Sequence, residues 1–241
     1  MKQLKFLSPA AIVMLMLFSC NSGSNEKTST DTTSTDTTTT AQKLPETPEK
    51  PPMTVLIKHK VANFAKWMPA YEADDSARVS YGLHNFVVSR GVKDSNMVMI
   101  ALHMDDTARA KQFSMLPALK ATMKKAGVIG APNIMYTETE WHDTTTNSST
   151  TRVMIMQKVK DWDAWKKVFD SHKQARMDAG LTDRAVGHAI GDPHMVSVVL
   201  AVSDMKKAED FAKSKDLKDK MTEAGVVGAP DIFFYHVVKQ Y

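Results

Sequence analysis

The chain repeats itself at a constant spacing of 98 residues, and no other feature of the sequence limits its possible folds as strongly. The segment AGVIGAPNI that begins at Ala126 returns as AGVVGAPDI at Ala224, an offset of 224 − 126 = 98. The same offset holds without a gap back to Val55 and Val153. A unit of this length is a whole domain, because solenoid repeats are about 20–50 residues long. We therefore expect one fold to occur twice in this chain.

The first twenty residues have the pattern of a bacterial lipoprotein signal. Lys2 and Lys5 precede a short apolar run, and Ser19-Cys20 closes it. The run is shorter than the about 20 apolar residues that a membrane-spanning helix needs. Cys20 is the only cysteine, so no internal disulfide can form, and we interpret it as a lipidation site and not a catalytic thiol. The alternative is an ordinary signal peptide with an incidental cysteine.

Residues 21–52 are rich in Ser and Thr and then in Pro and Glu, with almost no apolar side chain to bury. Such a segment cannot offset its ordering entropy, so we predict a disordered tether. With Cys20, it indicates a protein anchored to a membrane by lipid in the bacterial cell envelope, on the periplasmic side or at the outer membrane. The formal charge of +4 comes without a basic run, which argues against a nucleic-acid partner.

Each repeat is predicted to fold in the order strand, helix, strand, strand, helix, strand, over residues 53–140 and 152–241, with a linker at 141–151. Pro117 lies inside the second predicted helix and should kink or split it. Pro193 is placed in a turn over 191–194, and Pro132 and Pro230 are placed at strand starts, since proline has no amide hydrogen for a strand ladder. This order is that of a ferredoxin-like α+β fold, with a four-stranded antiparallel sheet and helices on one face.

The strand predicted over 195–202 is apolar on both faces. Its even-numbered positions are all Val or Leu, and its odd-numbered positions are mostly apolar as well. Helices can cover only one face of the sheet, so the other face needs a second cover. We predict that the two repeats pair with each other, sheet against sheet, around a shared apolar core.

This chain resembles tandem members of the dimeric α+β barrel superfamily, which includes the antibiotic-biosynthesis monooxygenase-like and stress-response barrel domains. The likeness rests on the gapless duplication, on the helix with Trp165 and Phe169, on Gly180-Leu181 and on Ala224-Gly225-Val226. It covers about Met53 to Tyr241. It implies an α+β fold in which two ferredoxin-like βαββαβ repeats form an intramolecular barrel from one chain instead of two.

Positions shared by both repeats supply four candidate ligand contacts: Trp67, Trp165, Arg78 and Arg176. The tryptophans lie at a core-facing step of the first helix, which favours packing over substrate stacking. The arginines lie near the end of that helix, where a cation complements the helix dipole. Binding of an anionic ligand is the alternative interpretation.

Positions that differ between the repeats are better places for a site, because a fused pair can specialise one half. His103 corresponds to Ala201 and His188 to Arg90, so we name these two histidines as candidate catalytic residues for proton transfer. His188 and His194 flank a predicted hairpin turn, but their spacing does not define a metal site, and none is predicted. Paired methionines on two strands are interpreted as core filling and not as Cu(I) ligands.

Neither a phosphate-binding loop nor a nucleophile elbow occurs in the sequence. The favoured function is therefore a ligand-binding or non-catalytic lipoprotein, whose fused barrel holds a small apolar molecule, or nothing, between helices and sheet. The alternative implied by the resemblance is a cofactor-independent monooxygenase or isomerase-like enzyme. A haem-binding barrel is a third hypothesis. No cofactor is predicted for the favoured function, and haem belongs to this third hypothesis alone.

Overall fold

The computed structural model describes residues 52–143 and 145–241. The predicted signal peptide, Cys20 and all of the tether up to residue 51 lie outside these residues, and the interpretation of them stays a prediction from the sequence. Within the described residues, no helix has both the length and the apolar character to cross a membrane.

Both repeats contain four strands and two pairs of short helices, in the predicted order. The first repeat consists of β1 (Met53–Val61), α1 (Phe64–Ala73), α2 (Asp75–Ser80), β2 (Leu83–Gly91), β3 (Met97–Met104), α3 (Thr107–Met115), α4 (Pro117–Lys125) and β4 (Val128–His142). The second consists of β5 (Thr151–Val159), α5 (Trp162–Ser171), α6 (Lys173–Asp178), β6 (Leu181–Ala189), β7 (Asp192–Val202), α7 (Met205–Lys213), α8 (Lys215–Glu223) and β8 (Val226–Gln240).

The second helix of each repeat is broken in the middle, but for different local reasons. In the first repeat, Pro117 forces Leu116 out of the helical region, to ψ 129°, so that α3 ends and α4 begins with the proline. The second repeat has no proline there. Instead, the Ser214 side chain accepts a hydrogen bond from the Leu217 N–H and starts α8 as an N-cap. The break therefore belongs to the fold, and proline is only one way to make it.

The prolines near the strands lie elsewhere than predicted. β7 already begins at Asp192, so Pro193 is in the strand and the hairpin turn is the tighter pair Ile190-Gly191. β4 begins at Val128, before Pro132 and not after it. Its pairing with β1 shifts at this point, and Pro132 lies in the unpaired bulge, where a missing N–H costs no ladder hydrogen bond.

The eight strands close into one barrel in the order β1-β3-β2-β8-β5-β7-β6-β4. Each repeat contributes four adjacent strands, and the repeats join through the antiparallel pairs β2–β8 and β4–β6. The sheets of the two repeats therefore meet edge to edge. Their inner faces still pack against each other, as predicted, because the joined sheet closes into a barrel. This arrangement confirms the predicted intramolecular α+β barrel and leaves no sheet edge unpaired.

Closure separates three apolar clusters. The barrel interior is filled from both repeats by Leu56, Met99, Ala101, Met135, Met154 and Tyr235. The other face of each half of the sheet packs against that repeat's own helices. The buried methionines of the interior are consistent with the core-filling interpretation, since a flexible thioether adapts to an irregular space.

Candidate functional site

The first repeat encloses a cavity of about 450 Å³ between its helices and the outward face of the sheet. Side chains from β1, β3 and β4 form its floor, and those of the four helices form its walls. The equivalent space in the second repeat measures about 110 Å³. A cavity of the larger size is within the range of small-molecule sites, and the smaller one is below it.

A hydrogen bond across the helices accompanies the smaller second cavity. His172, between α5 and α6, places its Nε2 2.6 Å from Asp216 Oδ2 on α8. The corresponding positions of the first repeat, 98 residues earlier, hold Asp74 and Ala118. These two side chains cannot form such a bond, so nothing equivalent draws α4 toward the junction of α1 and α2.

Aromatic rings form one wall of the first cavity. Trp67 and Tyr71 of α1 stack with ring centroids 5.0 Å apart, one helical turn from each other. His59 of β1 meets Trp67 edge-on at 5.7 Å. All three side chains line the cavity.

His59 is the most unusual polar group of this wall. Its side chain is buried, with 5% of the residue exposed, yet neither Nδ1 nor Nε2 has a hydrogen-bond partner among the residues that the structure describes. Buried polar atoms nearly always have a partner, so two unpaired nitrogens beside a cavity indicate a place for a ligand or for ordered water. Burial lowers the pKa of His59 from 6.5 to about 4, which keeps the imidazole neutral near pH 7.

As the pH falls from about 7 to about 4, we expect protonation of His59 to lower the free energy of unfolding by about 3 kcal/mol. Because its pKa is lower in the folded chain, the unfolded chain binds the proton first, and stability is lost between about pH 6.5 and pH 4. Urea unfolding at both pH values measures this loss.

Two variants isolate the contribution of His59. His59→Gln introduces the residue that the second repeat has at Gln157. Over the same pH range, the free energy of unfolding of this variant should fall by about 3 kcal/mol less than that of the unsubstituted protein. His194→Gln removes an exposed histidine and should behave like the unsubstituted protein. An unchanged pH dependence in His59→Gln would show that the imidazole is not held neutral by burial.

Arg78 of α2 also lines the first cavity and is 3% exposed. Its guanidinium lies over the Tyr71 ring, 3.9 Å from the centroid. Its Nη2 donates one long hydrogen bond of 3.4 Å to Asp75 Oδ1, and its buried Nε has no partner within the described part of the chain. The Asp75 side chain is half exposed, so the positive charge of Arg78 is only weakly compensated.

A chain of hydrogen bonds holds Tyr71 in place. The Tyr71 hydroxyl donates to Asn85 Oδ1 at 2.5 Å, and Asn85 Nδ2 donates to Asp75 Oδ1 at 2.5 Å. Burial raises the pKa of Tyr71 above its ordinary value, so the phenol stays protonated at neutral pH. Asn85 thus bonds directly to Tyr71, and Asp75 bonds to both Asn85 and Arg78.

Arg176, the counterpart of Arg78, is fully paired. Its Nε and NH2 donate to the two carboxylate oxygens of Asp183, both at 2.8 Å, and its NH1 donates to the Phe169 carbonyl oxygen. Asp183 stands where the first repeat has Asn85. The second repeat therefore satisfies its own buried arginine with a bidentate carboxylate, and the first repeat does not.

The structure distributes the predicted site residues among separate places. Trp67 and Arg78 come together in the first cavity, and Trp165 and Arg176 in the second. His103 and His188 line neither cavity.

The two predicted catalytic histidines have other partners. His103 stacks on Phe86 with ring centroids 4.3 Å apart, and burial lowers its pKa. His188 contacts the edge of Trp162, and its Nε2 lies 3.1 Å from Glu140 Oε1. In the chain from 52 to 143 and from 145 onward, no group of three potential metal ligands occurs.

His59 and Tyr71 were not among the predicted site residues, although a comparison of the two repeats could have indicated both. Both positions differ between the repeats, with Gln157 and Phe169 as their counterparts. A search of all unlike pairs on the helix-facing side of the sheet would have included His59.

No protein-family model matches the chain, and neither does any curated protein. Several solved structures are similar. An anthrone oxidase-like protein is 15% identical with a TM-score of 0.54, covering 80% of this chain and 94% of that one. A candidate monooxygenase from Fusobacterium nucleatum is 13% identical with a TM-score of 0.52, covering 78% and 93%. A candidate chlorite dismutase is 11% identical with the same TM-score, covering 78% and 96%.

At this level of identity the likeness concerns the fold. The chain has the ferredoxin-like α+β barrel fold of these solved structures, with both halves of the barrel in one polypeptide. A shared fold leaves the chemistry to be argued from the site.

Proposed function

We propose that the first repeat binds a small, largely apolar molecule in the cavity between its helices and the sheet, and that the second repeat completes the barrel as a scaffold. The unpaired, buried imidazole of His59 on the wall of a 450 Å³ cavity is the observation that carries this proposal. A binding site typically combines an apolar lining with a few converging polar groups, and the first cavity has this composition.

The apolar part of the lining sets the character of the ligand. Ring and aliphatic side chains from the sheet and the helices form most of the surface, including Ile57, Ile100, Leu102, Phe113 and Leu119. A molecule in contact with them gains roughly 25 cal/mol for each Å² of apolar surface removed from water. A flat or aromatic body of two or three rings would suit the stacked wall of Trp67 and Tyr71.

The second repeat is an internal comparison for this assignment. It carries the same fold and the same tryptophan and arginine, yet its cavity is about a quarter as large. Its polar groups are paired with one another, as in Arg176–Asp183 and His172–Asp216. The pairing of its polar groups leaves little for a ligand to bind.

We expect the purified full chain to bind one equivalent of the neutral fluorescent probe N-phenylnaphthylamine, whose emission rises in apolar surroundings. Ala70→Phe places a ring in the first cavity and should weaken binding at least about tenfold by occupying the space. Val168→Phe, the matched change in the second repeat, should leave the affinity within about twofold of the original.

Three results would speak against the proposal. These are no binding of the probe, equal binding by the Ala70→Phe variant, or a loss confined to Val168→Phe. Added haemin serves as a further arm of the titration. A Soret band that survives Val168→Phe and is lost in Ala70→Phe would identify the first cavity as a haem site instead.

The cellular location of this protein is proposed from the sequence alone. Lipidation of Cys20, followed by the tether, would hold the barrel close to a membrane of the bacterial cell envelope.

A further inference from the structure

We infer that the molecule bound in the first cavity carries a carboxylate, and that Arg78 is its partner. This inference rests on the proposed function and specifies the class of ligand. It comes from comparing Arg78 with Arg176, which occupy the same place in the two copies of one fold.

The two arginines have similar burial and different partners. Arg78 is 3% exposed and Arg176 is 5% exposed, and each lies over an aromatic ring of the preceding helix. Arg176 makes three hydrogen bonds, two of them to the carboxylate of Asp183. With the residues from 52 to 143 and from 145 to 241, Arg78 makes a single hydrogen bond, of 3.4 Å. The same local fold thus holds one saturated guanidinium and one with donors to spare.

Two substitutions between the repeats account for this difference. Asn85 replaces the carboxylate that the second repeat provides at Asp183, and Asp75 stands where the second repeat has Lys173. Asp75 returns a negative charge to the neighbourhood, but at a half-exposed position and with its Oδ1 already accepting from Asn85. The first repeat therefore lacks an internal carboxylate placed for bidentate pairing with its arginine.

A buried guanidinium with unused donors is a strong site for a planar anion. Its fork of N–H groups matches the two oxygens of a carboxylate, as Arg176 and Asp183 show within this protein. Since Arg78 and His59 both line the first cavity, a ligand could place its acidic group on the arginine and its apolar body against the aromatic wall. Asp74 also lines the cavity, and its charge opposes an anion there.

The test compares naphthoate with naphthamide, which share one ring system and differ in charge at neutral pH. Each competes with bound N-phenylnaphthylamine in the full chain. We expect naphthoate to bind at least about tenfold more tightly than naphthamide, because only the carboxylate pairs with the guanidinium. Asp74→Asn removes a negative charge from the lining and should tighten naphthoate by about threefold without affecting naphthamide.

The double variant Asp75→Lys/Asn85→Asp copies the second repeat and gives Arg78 an internal carboxylate. It should abolish the preference for naphthoate, while the probe and naphthamide bind within about twofold of before. The variant raises the net charge of the protein, which by itself would favour an anion, so a lost preference points to Arg78.

Each failure has a distinct meaning. If the probe does not bind, the proposed function and this inference fall together. If the probe binds and the two naphthyl compounds compete equally, the carboxylate inference is wrong and the cavity assignment stands. If the double variant keeps its full preference for naphthoate, the carboxylate is not bound by Arg78.

Discussion

Replacing Gly187 with alanine should lower the free energy of unfolding by about 3 kcal/mol or more. Gly187 is buried in β6, opposite Thr139 of β4, at one of the two places where the repeats join. A Cβ atom added there would overlap the carbonyl oxygen of Glu138 and come within 3.0 Å of the Thr139 Cα. Both obstacles are backbone atoms, so the strands must separate to make room.

The other junction contains a matched control. Ser89 of β2 occupies the equivalent position, opposite Val237 of β8, and is fully buried. Its hydroxyl has no hydrogen-bond partner, so Ser89→Ala removes an unsatisfied polar atom and should be neutral or stabilising. Urea unfolding of both variants, followed by circular dichroism, measures the difference. Equal stability of Gly187→Ala and the parent would mean that the β4–β6 junction is not closed as described.

The second large effect is expected at the buried ion pair of the second repeat. Asp183→Asn should cost about 3–5 kcal/mol of unfolding free energy, because it leaves the Arg176 guanidinium buried without its counter-charge. The two side chains are 6% and 10% exposed, so water compensates little of the loss. The variant resembles the first repeat, which has Asn85 at the corresponding position, but it lacks the acid that the first repeat has at Asp75.

That missing acid defines a rescue. Lys173→Asp combined with Asp183→Asn reproduces the Asp75, Arg78 and Asn85 arrangement in the second repeat, and it should recover part of the lost stability. Lys173→Asp alone changes an exposed side chain and should alter stability by about 0.5 kcal/mol or less. A loss below about 1 kcal/mol in Asp183→Asn, or no recovery in the double variant, would contradict the assigned roles of these residues.

The fold was predictable because its signals are local and occur twice. Asn63, Asp106, Asp161 and Asp204 each accept a hydrogen bond from the backbone N–H three residues later, and each starts a helix where the sequence indicates it. Each strand has its own apolar pattern. Because the chain contains the fold twice, each capping residue and each apolar pattern in one repeat can be compared with its counterpart in the other.

The candidate site was predictable only in part. Trp67 and Arg78 were named as ligand contacts, and the structure brings them into one cavity. His103 and His188 were predicted as catalytic residues because they differ between the repeats, but they line neither cavity. A comparison of the repeats could have indicated His59, because its counterpart is Gln157, but the sequence alone does not show whether the imidazole nitrogens have partners.

The sequence by itself determined that this chain contains one α+β fold twice, because backbone preference and apolar periodicity are properties of short segments. Only the tertiary structure decided that the sheets join edge to edge and that the cavity is large in one repeat and small in the other. Those outcomes depend on contacts between residues that are distant in the sequence, such as His172 with Asp216 and Gly187 with Thr139, and these contacts form only when the chain has folded.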